Sequence, residues 1–233
     1  MLTSILLSGG LDSAVLLVEE AARGEVLPIY VSVGLSWERA ERDALRRFLA
    51  AARLPTARPL VALSVDMNDV YAPGHWARTG DAPEYHTPDE DVYLAGRNII
   101  LLAKAAVYCA SAGAGRLLIG TLDHNPFPDA TPEFRAAMAR ALSLGLAHSI
   151  KIDAPYAQSS KADVIRRGVA LGAPLDLTLS CMNPVSRAQQ VQGGQEARWV
   201  HCGRCSKCRE RHDAFVAAGV VDSTDYADRA YTS

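Results

Sequence analysis

The stretch Ser4-Ile5-Leu6-Leu7-Ser8-Gly9-Gly10-Leu11-Asp12-Ser13 decides how the rest of this chain reads. A short apolar run ends on two glycines, and from Asp12 to Arg23 apolar residues recur at helical spacing, so strand, tight turn and helix follow directly. At such a junction backbone N–H groups converge on one anion site, and the helix adds the positive end of its dipole. Phosphate is the natural guest. Gly9 and Gly10 supply unusual backbone angles and close approach, Ser8 and Ser13 bring hydroxyl donors to either side of the anion, and Leu11 carries the loop into the helix. An ionised Asp12 cannot donate to phosphate, which leaves it to cap the helix or to hold magnesium. An isolated Ser-Gly-Gly is more often plain punctuation between strand and helix. Here it follows a buried strand at the start of a domain, where open parallel sheets bind ligands. It matches neither the G-x-x-x-x-G-K-[ST] loop nor the G-x-G-x-x-G fingerprint.

Working outward, Val26 to Val33 reads as a second strand, Ser36 to Arg53 as an amphipathic helix with Ser36 as N-cap, and Leu60 to Val65 as a third strand. That β-α-β-α-β order builds a parallel sheet. Asp66 to Ala95, with Pro73, Gly74, Gly80, Pro83 and Pro88, reads as a long functional loop in which Trp76, Tyr85 and His86 either cover a ligand or pin the loop. A strongly apolar helix over Arg97 to Ala112 suits the core or a homodimer interface. A buried strand then covers Arg116 to Gly120, and a helix covers Thr131 to Leu144, with Thr131 as N-cap and Pro132 at its first position. Ile150 to Ile152 is a short strand and Ser160 to Leu171 a helix, while Asn183 to Arg198, with Gly193-Gly194 and four glutamines, lacks an apolar face and reads as an irregular insertion or flexible loop. The expected architecture is a Rossmann-like α/β domain over residues 1–175 and a small C-terminal metal-binding helical segment over 176–233.

A chain of 233 residues is long enough for one sizeable α/β domain and an appendage. Its formal charge of -2 argues against gripping nucleic acid by charge and favours a small-molecule substrate. No apolar run is long enough to span a bilayer and the N-terminus lacks the pattern of a signal peptide, so the expected location is the cytoplasm.

Cysteine spacing says more than cysteine number. Cys202, Cys205 and Cys208 crowd together, Cys181 lies upstream, and Cys109 stands alone in an apolar stretch. Four thiolates complete the closed tetrahedral shell of a structural zinc, with Gly203 easing a tight knuckle. Arg204, Lys207, Arg209 and Glu210 make the region too polar to hide four thiols in a core. Four cysteines can equally hold an iron–sulfur cluster, and spacing does not separate the two. His201, beside Cys202, reads as a solvated side chain or a spare ligand.

Ser8-Gly9-Gly10-Leu11-Asp12-Ser13 resembles the S-G-G-x-D-S signature of the N-type ATP pyrophosphatases of the PP-loop superfamily, whose domain is adenine nucleotide alpha hydrolase-like. That likeness implies cleavage of ATP between the α and β phosphates and transfer of AMP to a carbonyl oxygen. A second likeness runs through Leu179-Ser180-Cys181, Cys202-Gly203-Arg204-Cys205-Ser206-Lys207-Cys208-Arg209-Glu210-Arg211 and Ala214-Phe215, which are similar to the C-terminal signature of the 7-cyano-7-deazaguanine synthases. Gly96-Arg97-Asn98 and Ser160-Lys161-Ala162-Asp163 fall in order between the two ends. The resemblance implies zinc on Cys181, Cys202, Cys205 and Cys208, ATP on the phosphate loop with magnesium, and catalytic roles for Asp12, Arg97 and Lys161. Lys161 opens a helix, an unfavourable place for a cation unless an anion lies nearby.

Arg97, Asn98, Asp123, Phe127 and Asp129 are the expected substrate contacts, Asn98 otherwise capping its helix. Gly120 to Pro132 departs from the family here, where typical synthases carry an aspartate followed by S-G-Y-P-D-C. Asn125-Pro126-Phe127 replaces Ser-Gly-Tyr and Ala130 replaces the cysteine, while Pro128-Asp129 is kept. The implied reaction adenylates 7-carboxy-7-deazaguanine, lets ammonia displace AMP to give an amide, and dehydrates the amide to a nitrile in a second activation. The altered loop leaves room for another acceptor: a different carboxylate, a macromolecule that receives a deazaguanine, or a tRNA base to be thiolated. A non-catalytic nucleotide-binding or zinc-held interaction protein is the reading from outside enzymology.

Overall fold

The computed structural model describes residues 2–191 and 194–231, and of 189–191 and 194–197 the backbone alone. The strands are β1 (Thr3–Leu6), β2 (Val26–Ser32), β3 (Val61–Ser64), β4 (Arg116–Leu118), β5 (Lys151–Asp153), β6 (Val185–Val191) and β7 (Gly194–Val200). The helices are α1 (Leu11–Ala21), α2 (Glu38–Ala52), α3 (Trp76–Thr79), α4 (Arg97–Ala112), α5 (Pro132–Gly145), α6 (Lys161–Ala170) and α7 (Ser206–Ala218). β1 to β5 form one parallel sheet in the order β3-β2-β1-β4-β5, with Thr3 opposite Val26 on one side and opposite Arg116 on the other.

Both faces of this sheet are covered, which is why its inner strands read as continuous apolar runs. Ile5 and Leu7 point into a cluster with Leu16 and Leu17 of α1, Ile165 of α6 and Phe215 of α7. Leu6, Ile29 and Val31 point the other way, onto Leu102 and Cys109 of α4. Burying each such aliphatic side chain contributes roughly 1.5–3 kcal/mol, so α1 is held by its packing more than by its caps. The chain winds outward from β1 in both directions, leaving a crevice at the carboxyl ends of β1 and β4.

Several local expectations hold. Thr131 Oγ1 accepts from the Phe134 N–H at 3.1 Å at the start of α5. The helix expected over Ser160 to Leu171 forms as α6, and the structure adds a reciprocal capping box between Ser160 and Asp163 at its start. The segment between β3 and α4 is mostly irregular, with one turn of helix at α3 and a 3-10 turn over Asp89–Val92.

Others do not. Ser36 is not the cap of α2: Trp37 occupies that position without a side-chain cap. Glu38, the first helical residue, turns its carboxylate back to the β2–α2 connection, its Oε1 accepting from the Val33 and Gly34 N–H groups at 2.7 and 3.1 Å. Residues 183–198 are not an irregular insertion either, because β6 and β7 pair antiparallel from Val185↔Val200 to Val191↔Gly194. In a two-stranded ribbon the facing N–H and C=O groups pair with each other and the outward ones can meet solvent, so the missing apolar face does not prevent strand pairing. Gly193 lies outside the described residues.

Candidate active site

The crevice is a cavity of about 370 Å³ whose walls include the phosphate loop, the β4 exit at Gly120–Asp123 and the segment Leu179–Met182. The phosphate loop is tied across itself. The Ser8 N–H donates to Ser13 Oγ at 3.3 Å, Ser13 Oγ donates to the Gly10 carbonyl at 3.1 Å, and the Gly10 N–H donates to Ser8 Oγ at 3.2 Å. Gly9 has φ +85°, and a Cβ there would meet the Glu41 carbonyl oxygen and Leu45 Cγ at 3.2 Å. Only glycine suits that backbone with α2 packed so close. Leu11 is the first residue of α1 and is buried beneath the loop.

Asp12 is not the helix cap. Gly10 stands at that position, and Asp12 instead meets Lys161 Nζ through Oδ2 at 3.2 Å. Lys161 Nζ also donates to Glu210 Oε1 at 2.5 Å, and Lys207 Nζ to Glu210 Oε2 at 2.6 Å. Burial pushes the Asp12 carboxyl up despite the Lys161 ammonium beside it. Burial also works against charge at Lys161, but Asp12 and Glu210 outweigh it and hold the ammonium above its ordinary range. At Glu210 burial opposes ionisation, yet Lys161 and Lys207 hold the carboxyl down at about 2. Lys161 is therefore a cation locked at the start of α6 by two carboxylates, facing the phosphate loop. Among the described residues three buried polar atoms in the cavity wall have no protein partner: Asp12 Oδ1, Arg97 Nε and Thr121 Oγ1. An acceptor suited to a cation and a donor suited to an anion are thus left open there.

Asn98 is not the cap of α4. Its backbone N–H donates to Asp129 Oδ2 at 3.2 Å and its amide to Asp129 Oδ1 at 3.0 Å, so Asp129 caps the helix from a distant segment. Burial raises the Asp129 carboxyl, with the Asn98 bonds partly offsetting it. Phe127 stacks on Tyr93 with ring centroids 5.1 Å apart, and both line the cavity. Asp123 is half-exposed at the rim, bonded to the His124 N–H at 2.8 Å. In the long loop Tyr85 stacks on Tyr231 at 4.4 Å with His86 edge-on to the same ring, and Trp76 stacks on Trp37 at 5.7 Å. Tyr85 and His86 pin the loop; Trp76 and Trp37 also line the cavity.

Cys181, Cys202, Cys205 and Cys208 are buried with their sulfurs within 4.8 Å of one another. Separations of 3.9, 3.8 and 3.5 Å (Cys181–Cys205, Cys202–Cys208 and Cys205–Cys208) suit a tetrahedral thiolate shell, for which a metal–sulfur bond of about 2.3 Å implies roughly 3.8 Å. Backbone N–H groups of Asn183 and Cys202 donate to Cys181 Sγ at 3.3 Å, and those of Gly203 and Arg204 donate to Cys208 Sγ and Cys202 Sγ at 3.4 Å. Such donors favour thiolates, so the donor set fits a metal ion. Gly203 has φ +80°, and a Cβ there would lie 1.9 Å from the Asp228 carbonyl oxygen.

His201 is neither solvated nor one of the clustered donors. It is buried, burial holds it well below its ordinary range, and its Nε2 accepts from the Ser180 N–H at 3.1 Å. Arg211, fully buried, donates to Thr224 Oγ1 at 2.6 Å, Thr178 Oγ1 at 2.9 Å and the Leu175 carbonyl at 2.8 Å. These bonds fasten the strap 175–182, whose Leu179 N–H donates to the Gly9 carbonyl at 2.8 Å. The cysteine cluster and the Ser8–Ser13 turn are thereby two ends of one short strap.

Glu41, Lys207 and Glu210 are site residues that were not among those expected from the sequence. Glu41 Oε2 accepts from Tyr30 Oη at 2.9 Å and Oε1 from Trp37 Nε1 at 3.1 Å, all three in the cavity wall. Lys207 and Glu210 carried a signal, since a spacing of three puts both on one helix face between and beyond the cysteines.

Among the described residues no helix is long and apolar enough to cross a membrane. Residues 3–219 match the family model described as queuosine biosynthesis protein QueC. The chain is 35% identical to the 7-cyano-7-deazaguanine synthase of Azoarcus sp. over 97% of this chain and 96% of that one. It is 32% identical to the synthase of Caldicellulosiruptor bescii over 95% and 96%, and 32% identical to that of Thermoplasma volcanium over 96% and 90%. With a family match over residues 3–219 and relatives aligned over nearly the whole length, the chain belongs to the family of queuosine biosynthesis protein QueC.

Proposed function

We propose that this protein is an ATP-dependent carbon–nitrogen ligase that converts 7-carboxy-7-deazaguanine and ammonia to 7-cyano-7-deazaguanine. The observation that carries the reading is the convergence of Ser8–Ser13, Arg97 and Lys161 on one cavity with Arg97 Nε unpartnered. A carboxylate is a poor electrophile until its oxygen becomes a good leaving group. The substrate carboxylate attacks the α-phosphorus of ATP, the bond to the β-phosphate oxygen breaks, and diphosphate departs with the electron pair. Ammonia then adds to the acyl carbon and AMP leaves, giving the amide. In the second activation the amide oxygen attacks the α-phosphorus of a second ATP and diphosphate departs; loss of both protons from nitrogen, and of AMP with the C–O electron pair, leaves the nitrile.

In this scheme the Ser8–Ser13 loop and the α1 N-terminus hold phosphate, while Arg97 and Lys161 meet the negative charge that grows on the transferring groups. Asp12 Oδ1 is the group for magnesium, which would screen the phosphates. Tyr93 and Phe127 offer an aromatic face for a heterocycle, and Asp123 at the rim a carboxylate for its donors. Asn98 and Asp129 act by shaping that wall, since they spend their bonds on each other. Cys181, Cys202, Cys205 and Cys208 would hold zinc, which four thiolates of this geometry suit, and a shell filled by protein ligands would brace the strap and leave the chemistry to other groups. A cytoplasmic location accompanies the reading, because a reducing compartment keeps the thiols available.

Incubation with ATP, magnesium, ammonium and 7-carboxy-7-deazaguanine, followed by mass spectrometry, tests it: nitrile and AMP are the expected products. AMP released with another carboxylate, but with no amide or nitrile from the deazapurine, would move the acceptor elsewhere. The motive for that second reading is the Asn125–Phe127 wall, where the family's Ser-Gly-Tyr is replaced.

A further inference from the structure

Two lysines in this cavity share one carboxylate. Glu210 accepts from Lys161 Nζ at 2.5 Å through one oxygen and from Lys207 Nζ at 2.6 Å through the other. Two ammonium groups repel, and a bridging carboxylate in a partly buried site is what keeps them side by side. Lys207 has one further weak neighbour, Asp89 Oδ1 at 4.0 Å. The nearby cations are committed elsewhere: Arg204 pairs with Asp228, Arg209 donates to the Tyr85 carbonyl at 2.9 Å, and Arg211 is sealed in the strap. Among the described residues the lysines and arginines lining the cavity are Arg97, Lys161 and Lys207.

We propose that Lys207 and Lys161, clamped together by Glu210, form a two-pronged receptor for the diphosphate leaving group of the adenylation step, with Glu210 as a positioning residue. The inference rests on the adenylation reading above and deepens it. As the substrate carboxylate bonds to the α-phosphorus, the cleaved bond's electron pair goes to a β-phosphate oxygen, and no proton needs to move. The growing charge lies on two adjacent phosphoryl groups, a spacing that two ammoniums set a carboxylate's width apart can meet together. A single phosphate gains less from such a pair. Lys207 lies between Cys205 and Cys208 at the first turn of α7, so the cysteine cluster fixes where this second prong stands.

Calorimetric titration of the metal-loaded chain with inorganic pyrophosphate, ATP and AMP, each with magnesium, tests the proposal. Lys207→Gln should weaken pyrophosphate and ATP about tenfold while leaving AMP within roughly twofold, and Lys207→Arg should restore most of the loss. Glu210→Gln, measured with metal content and melting point beside it, should weaken pyrophosphate about fivefold and lower kcat with the metal retained. Unchanged pyrophosphate binding in both Lys207→Gln and Glu210→Gln, or an equal loss for AMP, would overturn the receptor. If Lys207→Gln sheds its metal, Glu210→Gln and Lys207→Arg decide the question. Selective loss of pyrophosphate in a chain that makes no nitrile would overturn the deazapurine substrate and leave this inference standing. Nitrile formation with unaltered pyrophosphate affinity in the variants would do the reverse.

Discussion

Glu41 sits on the buried face of α2 with Tyr30 and Trp37 both donating to it. Burial is the largest influence on its carboxyl, with Glu38 adding to it, and together they outweigh Arg97, Tyr30 and Trp37 and push it from 4.5 up to about 7. Between those values the folded chain keeps a proton that the unfolded chain has lost, so stability falls as pH rises across that window and is level above it. The drop amounts to roughly 3 kcal/mol at most, since a tenfold change in proton affinity is worth about 1.4 kcal/mol. Glu41→Gln should flatten the dependence, and urea unfolding at pH 5, 6, 7 and 8 would show it. A variant that still loses stability in the wild-type way would assign the drop to another group. Sequence made Glu41 visible only as one acid on an amphipathic helix, because its burial depends on α2 packing against the phosphate loop at Gly9.

At the scale of elements, the cysteine segment is the clearest case of local sequence constrained from afar. Gly203 is legible as a knuckle residue, but its stringency comes from the C-terminal tail, whose Asp228 carbonyl fills the space where a Cβ would go. Gly203→Ala must displace that tail as well as strain a positive φ. We expect metal affinity to fall about tenfold or more, read by competition with a chromophoric chelator, with Tyr231 and the Tyr85 stack released together. Unaltered affinity would mean that the tail moves aside at no cost. The β6–β7 ribbon is the opposite case: its pairing is satisfied within itself, so the absence of an apolar face in its sequence was no obstacle to strands.

For the whole molecule, the strap 175–182 couples two sites that are distant in sequence. Cys181 belongs to the metal cluster and Leu179 to the phosphate loop's backing, with His201 and Arg211 bracing the residues between. Stripping the metal should therefore lower the thermal midpoint by roughly 10–20 °C, several kcal/mol at about 2–4 °C for each, and weaken ATP as well. Scanning calorimetry and ATP titration before and after chelation would check both, and full ATP affinity in a metal-free, folded chain would break the coupling. By itself the sequence determined the α/β order of elements, the glycine turn between β1 and α1, the Thr131 cap of α5 and the crowding of Cys202, Cys205 and Cys208, because each rests on neighbours a few residues apart. Only the tertiary structure decided that Asp12 faces Lys161 instead of capping α1, that Asp129 serves Asn98, that His201 is buried, and that Glu210 joins two lysines. The physical reason is that a side chain's partner in a crevice is supplied by segments far along the chain. A carboxylate or an imidazole takes its charge and role from whichever donor the fold brings within hydrogen-bonding distance.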